Sequence, residues 1–283
     1  MVGKEVFAVD AKRCFASTDS TKSLICFDFD ETYFPHACED GQLEDLHGME
    51  LYLDRIARQY HVKIAWVTGS DCASLADKMK RAHLTYMPHF IAANLGTELY
   101  QITASGERKE IYAWKRFLPV QEEFNERVDG LIDKLSLDGI ALQPQTMHGQ
   151  SMYKKNFYYF PDGGDLTDVL HRVRQAAAAA EVGLNVNACN PRAGDPDGAY
   201  DIDFIPLNTG KRAAVRFLAS HCMVEPARIY AFGDSGNDLE MLQYAGNGYL
   251  VANATEEAKQ KHGQMCESPY AAGIQSTLQH FFL

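Results

Sequence analysis

The stretch Ser23–Phe34, SLICFDFDETYF, decides how this chain is read. Its apolar run Leu24–Phe27 ends in Asp28-Phe29-Asp30-Glu31-Thr32. A short apolar run that meets a cluster of acids predicts a buried strand whose far end carries chemistry. Strand side chains alternate, so Asp28 and Asp30 are expected on one side and Phe29 in packing. Two carboxylates so placed either hold a metal or divide the work of a nucleophile and an acid. Acids after a strand are also common as solvated turn residues, so the pair does not decide the matter alone.

The surrounding pattern supplies context. Leu46, Met49, Leu53 and Ile56 fall at helical spacing within Leu43–Tyr60. Val62–Val67 then reads as a second buried strand ending in Thr68-Gly69-Ser70-Asp71, and Asp71 is placed to cap a helix running to about His83. His89–Ala93 is a third strand. This alternation predicts a parallel, doubly wound α/β sheet.

After Asn94 the rhythm changes. A hairpin about Ser105-Gly106, a helix over Val120–Leu135 and a strand near Ile140–Leu142 are expected. An aromatic strand Tyr153–Phe160, a helix Asp165–Glu181 and strands Leu184–Cys189 and Tyr200–Ile205 follow. The α/β rhythm resumes with a helix over Gly210–His221, a strand Arg228–Phe232, a helix Gly236–Ala245 and a strand Gly248–Val251. The expected organisation is an extension (1–22), a discontinuous α/β core (23–96 and 204–283) and an inserted α+β unit (97–203). Such an insertion predicts a site at the junction, where the inserted unit excludes water.

With 283 residues, 46% hydrophobic and 23% charged, the composition is that of a globular protein with a sizeable core. A net charge of −11 argues against nucleic acid or an anionic membrane as the main partner. A small anionic substrate is compatible, because a local cation and a metal outweigh the global charge. The seven cysteines are scattered without a CxxC, which predicts reduced thiols and a cytoplasmic protein. Residues 1–22 lack the apolar core of a signal peptide, and no run long enough to span a membrane occurs. The ten histidines show no ligand spacing and are expected to be structural or surface residues.

Four groups sit where doubly wound sheets place active sites, beyond the carboxyl ends of strands. They are Asp28/Asp30, Thr68-Gly69, Lys211 and the turn Gly233-Asp234-Ser235-Gly236-Asn237-Asp238. Each has a dull explanation, such as a turn, a surface lysine or a helix cap. Their order is far more specific than any one of them. DFDET, VTGS, TGK and GDSGND in that order resemble the four motifs of the haloacid dehalogenase superfamily of phosphatases. The insertion between the second and third motifs resembles the type IIB cap of its sugar phosphatases, and DIDFIPLNTGK resembles sucrose-phosphatase-like members. DFDETYFPH, PHFIAANLGTE, YKKNFYY and CNPRAGDP are similar to the kanosamine-6-phosphate phosphatases of the neotrehalosadiamine pathway.

The resemblance implies a Rossmann-like core with a type IIB cap, and a phosphatase acting on kanosamine 6-phosphate or another hexose 6-phosphate. It implies Asp28 as nucleophile and Asp30 as acid and base, through an aspartyl phosphate. Mg²⁺ is the implied cofactor, with a carboxylate oxygen of Asp28, the backbone carbonyl of Asp30 and Asp234 as ligands. Asp238 is implied to orient a bound water or Lys211. Lys211, Thr68, the Gly69 amide and Asn237 are implied phosphate contacts. Superfamily members often carry Gly where this chain has Glu31. Glu31 is either a solvated turn acid or the partner of a cationic group on an amino sugar. In the cap, Lys154, Asn156, Asn190 and Arg192 are the candidate sugar contacts, and Tyr158, Tyr159 and Phe160 are expected in its core. Three alternatives remain at this point: a phosphomutase or phosphotransferase with the same motifs, a phosphatase for sucrose or glucose 6-phosphate, and a non-catalytic carbohydrate-binding protein. A metal-dependent glycosyltransferase would leave Lys211 and GDSGND unexplained.

Overall fold

A computed structural model of the protein describes residues 13–17, 20–145, 151–191 and 194–283. The chain divides into a first unit that runs up to Ile111 and resumes at Lys211, and a second unit, Tyr112–Gly210. In the first unit the order is β1 (Arg13–Cys14), β2 (Ser23–Phe27), α1 (Asp40–Tyr60), β3 (Val62–Val67), α2 (Cys72–Arg81), β4 (Tyr86–Met87), β5 (Phe90–Ala93), β6 (Glu98–Ile102) and β7 (Arg108–Glu110). The second unit holds α3 (Gln121–Leu137), β8 (Gln143–Pro144), β9 (Lys155–Tyr159), α4 (Leu166–Ala179), β10 (Val182–Ala188) and β11 (Tyr200–Pro206). The chain then returns to the first unit with α5 (Lys211–His221), β12 (Ile229–Gly233), α6 (Leu239–Tyr244), β13 (Asn247–Leu250), α7 (Glu256–Lys261) and α8 (Tyr270–Gln279).

The main sheet has the order β13-β12-β2-β3-β5-β6-β7, parallel from β13 to β5. From β2 the chain winds outward through β3 and β5, then returns to lay β12 and β13 on the other side. The crevice above β2 and β12 is therefore the topological switch point, where such sheets bind ligands. β2 is buried along its whole length. Ile25 and Phe27 join the core built with Leu46, Met49 and Leu53 of α1 and Ile274 and Leu278 of α8. Leu24 and Cys26, equally buried, alternate to the opposite face.

Two sequence expectations change here. The hairpin of β6 and β7 extends the main sheet, because β6 pairs antiparallel with β5 and buries Leu99, Tyr100 and Ile102. A switch from parallel to antiparallel signals marks a sheet edge as readily as a new domain. The expected extension also contributes to the core: Arg13 and Cys14 pair with Tyr86 and Met87, and Phe15 stacks on Tyr86 at 5.0 Å. Asp71 caps α2 as expected, its carboxylate accepting from the Ser74 amide at 2.7 Å.

The second unit is an antiparallel sheet, β10-β11-β9-β8, with α3 and α4 on one face. Ile202 and Phe204 of β11 point to Phe124, Val128 and Leu131 of α3 and Val173 of α4. Alternation sends Asp201 and Asp203 to the other face, where register sets them beside Tyr158 and Asn156 of β9 and Asn187 and Asn185 of β10. Tyr159 is in the core as expected, whereas Tyr158 lies on this polar face and Phe160 is exposed. The strand expected near Ile140–Leu142 is instead Gln143–Pro144, and Ile140 packs in the core. No helix among the described residues is long and apolar enough to cross a membrane.

Between the two acids of the opening motif, Phe29 stacks on Phe34 at 5.6 Å and meets Trp66 edge-on at 4.9 Å. Phe29→Ala is expected to cost about 3–5 kcal/mol of stability, read as a lowered urea midpoint.

Candidate active site

The chain beyond β2 does not continue the ladder for more than one residue. The Asp28 amide still donates to Phe232 O at 2.9 Å, after which the chain turns. The carbonyl of Phe29 accepts from both Tyr33 and Phe34 amides, at 3.0 and 2.7 Å, and the Glu31 amide donates to Phe34 O at 2.9 Å. This closed turn separates the two acids, and each finds different partners.

Asp28 is buried against Lys211, the first residue of α5. The Lys211 ammonium donates to Asp28 Oδ1 at 2.6 Å, Asp238 Oδ1 at 2.7 Å and Asn237 Oδ1 at 2.8 Å. Asp238 in turn accepts on Oδ2 from the amides of Asp234 and Ser235, both at 3.1 Å. Gly233 makes this possible, since a Cβ there would lie 2.4 Å from the Asp238 Cβ. Thr32 donates its hydroxyl to Asp234 Oδ1 at 3.0 Å, tying the first turn to the fourth.

Carboxylate oxygens of Asp28, Asp234 and Asp238 lie within 4.8 Å of one another. Burial, then the neighbouring Asp238, pushes Asp28 up to about 7 despite Lys211. Burial and Asp28 raise Asp234 well above the carboxylate range. Burial alone would lower the Lys211 ammonium, but Asp238 and Asp28 outweigh it and hold it above the ordinary lysine value. Asp28 and Asp238 thus share one ammonium, with Asp234 a third acid beside them. Carboxylate oxygens this close repel one another unless a proton or cation lies between them. An all-oxygen acidic set with surplus negative charge fits a hard divalent cation such as Mg²⁺. Asp238 is already engaged on both oxygens, which suits a supporting acid better than a ligand.

Asp30 occupies the other half of the turn and is partly exposed. Its Oδ1 meets Lys78 Nζ at 2.5 Å and His36 Nε2 at 2.9 Å, and its Oδ2 accepts from Ser70 Oγ at 2.8 Å. Burial works to raise its pKa, but His36 and Lys78 outweigh burial and hold the carboxyl below the usual range. Thr68 is fully buried at the end of β3, its hydroxyl accepting from the Ser70 amide at 3.0 Å, and Gly69 follows it in the turn.

Glu31 is no solvated turn acid. It sits at φ +58°, a conformation that favours glycine, and its carbonyl accepts from Asn253 Nδ2 at 2.7 Å. Its Oε2 accepts from the Tyr270 hydroxyl at 2.6 Å, while Oε1 is buried without a hydrogen-bond partner.

Of the second-unit candidates, Lys154 is buried with its ammonium 3.8 Å from Asp203 Oδ1, and Asn156 sits opposite Asp203. The Asn190 amide donates to Asp195 Oδ2 at 3.3 Å. Arg192 lies outside the described residues. Asp201, Asp203 and Asn185 share the same polar face, and the period-two alternation in YDIDFIP was the signal for them. His36, Lys78 and Thr32 were also missed. His36 carried no ligand spacing, and Lys78 reads as one more helix lysine.

The family model of sucrose-6F-phosphate phosphohydrolase matches residues 21–282. The chain belongs to the sucrose-6F-phosphate phosphohydrolase family. Members of this family are phosphoric monoester hydrolases of the haloacid dehalogenase type. The chain is 40% identical over 271 residues to kanosamine-6-phosphate phosphatase of Bacillus subtilis, covering 94% of this chain and 95% of the relative. An uncharacterized hydrolase of Staphylococcus aureus is 31% identical over 264 residues, covering 92% of this chain and 97% of that one. Among solved structures, a haloacid dehalogenase-like hydrolase from Bacillus subtilis superposes with a TM-score of 0.73 at 38% identity, covering 95% of both chains. The sucrose-phosphatase of Synechocystis, in complex with sucrose and phosphate, shares the fold at a TM-score of 0.69 and 22% identity, covering 92% of this chain and 98% of that one. Membership of the sucrose-6F-phosphate phosphohydrolase family and the α/β core with an inserted unit both agree with the motif order.

Tyr270→Phe, which leaves the Glu31 carboxylate without the Tyr270 hydroxyl, is expected to cost about 1–3 kcal/mol. Thermal unfolding of the variant checks it; an unchanged midpoint would mean that this bond adds nothing to stability.

Proposed function

We propose that this protein is a Mg²⁺-dependent sugar phosphatase that hydrolyses a hexose 6-phosphate, kanosamine 6-phosphate foremost, through an aspartyl phosphate on Asp28. The observation that carries the reading is the Lys211 ammonium, 2.6 Å from Asp28 and 2.7 Å from Asp238, in a buried set of acids at the switch point. Phosphate ester hydrolysis is among the slowest uncatalysed reactions, and dividing it through a covalent intermediate lowers each barrier. Asp28 attacks phosphorus. Lys211 fixes the attacking carboxylate and supplies positive charge for the transferred phosphoryl group. Thr68, the Gly69 amide and Asn237 add neutral donors. Asp30 gives a proton to the departing sugar oxygen and later takes one from the attacking water.

Asp28, the Asp30 carbonyl and Asp234 are the residues that would hold Mg²⁺, with Asp238 in support. When bound, the ion supplies charge neutralisation at the phosphoryl oxygens. The kanosamine-6-phosphate phosphatase relative, 40% identical over nearly the whole chain, supports the substrate. In the second unit, Lys154, Asn156 and Asn190 are proposed as sugar contacts. All seven cysteines are free thiols, in keeping with a proposed cytoplasmic location.

The test is release of inorganic phosphate from kanosamine 6-phosphate, glucose 6-phosphate, glucosamine 6-phosphate and sucrose 6-phosphate, side by side with Mg²⁺. Kanosamine 6-phosphate is expected to give the highest kcat/KM, with free phosphate and no isomerised sugar phosphate. Asp28→Asn and excess EDTA are each expected to abolish turnover. Full activity under either condition would overturn the reading.

A further inference from the structure

Asp30 is held more tightly than proton transfer by a lone carboxyl requires. Both of its oxygens are engaged by side chains from elsewhere in the first unit: Lys78 and His36 on Oδ1, Ser70 on Oδ2. The ring closes on itself, because Lys78 Nζ also donates to Ser70 Oγ at 2.7 Å. Helical side chains lean toward the helix N-terminus, and the Asp71 cap fixes the first turn of α2. Lys78, in the second turn, therefore reaches back to Ser70 and Asp30. One turn further on, Arg81 Nη2 lies 3.1 Å from the His36 carbonyl and 3.3 Å from His36 Nδ1. Its guanidinium also covers the Phe34 ring at 4.8 Å. The lysine side chain is 18% exposed and that of His36 7%, so neither is a freely moving surface group.

We propose that Lys78, with Ser70 and His36, is a positioning device for the Asp30 carboxyl, fixing the plane from which it exchanges a proton with the leaving sugar oxygen. The proposal rests on the phosphatase reading above. A carboxyl bonded through both oxygens cannot turn about its Cβ–Cγ bond without breaking one of those contacts. In the first step the Asp28 oxygen bonds to phosphorus as the phosphorus–sugar oxygen bond breaks. The electron pair of that bond stays on the sugar oxygen, which receives the proton that Asp30 took from water in the preceding turnover, and Asp30 is left as the carboxylate that Lys78 and His36 hold. In the second step water bonds to phosphorus, its proton passes to Asp30, and the Asp28–phosphorus bond breaks. Lys78, Ser70 and His36 touch neither phosphorus nor the sugar in this scheme; they act only through Asp30.

Such a role has a signature that looser packing of α2 lacks. The quantity kcat/KM reports events up to the first irreversible step, which is phosphoryl transfer to Asp28. A sugar alkoxide needs a proton to leave, whereas the nitrophenolate of p-nitrophenyl phosphate does not. Lys78→Met is therefore expected to lower kcat/KM for the best hexose 6-phosphate by about tenfold to hundredfold, a part of the usual contribution of a general acid. For p-nitrophenyl phosphate the loss is expected to stay within about threefold, because no proton is required there. Lys78→Arg recovers part of the loss, and Ser70→Ala, which removes no charge, shows the same selectivity. In an Asp30→Asn background, Lys78→Met lowers kcat/KM no further, since coupled residues are not additive.

Equal losses on both substrates, no loss on either, or a full additional loss in the Asp30→Asn background would overturn the positioning role. A wild-type protein that cleaves p-nitrophenyl phosphate but no hexose phosphate would instead overturn the sugar-phosphatase reading. The two failures are thus distinct.

Discussion

Buried negative charge is the constraint on which the site depends. Three carboxylates, Asp28, Asp234 and Asp238, are gathered at the switch point with the Lys211 ammonium between two of them. A buried charge that loses its partner is far more costly than one never placed there. Every nearby feature serves to keep the set compensated. Asp238 takes two backbone amides as well as Lys211, Thr32 steadies Asp234, and Asn237 fills the third direction of the ammonium. The lack of a Cβ at residue 233 lets the Asp238 side chain come against the strand end. The surplus charge that remains is what a phosphatase of this family would offer to a divalent cation.

The sheet explains why these groups meet. β2 and β12 lie side by side at the point where winding reverses, so their following turns open into one crevice. The same arrangement gives Asp28 and Asp30 different surroundings. One faces the acids and Lys211 beyond β12; the other faces Ser70 beyond β3 and Lys78 of α2. Phe29, locked among Tyr33, Phe34 and Trp66, is the pivot that keeps the two apart.

Much of this was legible in the chain. The apolar runs ending in Asp28, Thr68 and Gly233 name their strands, because a strand buried on both faces must be apolar throughout. Lys211 and the GDSGND turn followed from their order. What could not be read were contacts that depend on how a helix lies. Lys78 has the spacing of a solvated helix residue, and only the path of α2 turns it toward Asp30. Glu31 read as either a solvated turn acid or the partner of a cationic sugar group, whereas the Tyr270 hydroxyl holds its carboxylate from 239 positions further along the chain. The polar face of the second sheet was legible at Asp201 and Asp203 but was obscured by Tyr158. An aromatic residue next to other aromatics invites a core assignment, although alternation places it outside.

The turn at residue 31 has a consequence for how the protein comes into being. Its carboxylate is held by a hydroxyl 239 positions later, and Asp28 by an ammonium 183 positions later. An intervening unit of independent core must be made before either partner emerges from the ribosome. Contacts of such long range form late, since loop closure is unrewarded until both ends exist. The nascent first half of the chain therefore carries Asp28 and Asp30 without an organised site. The turn at Glu31 is closed only when Tyr270, at the start of α8, reaches it, so this contact is a late latch on the turn after β2.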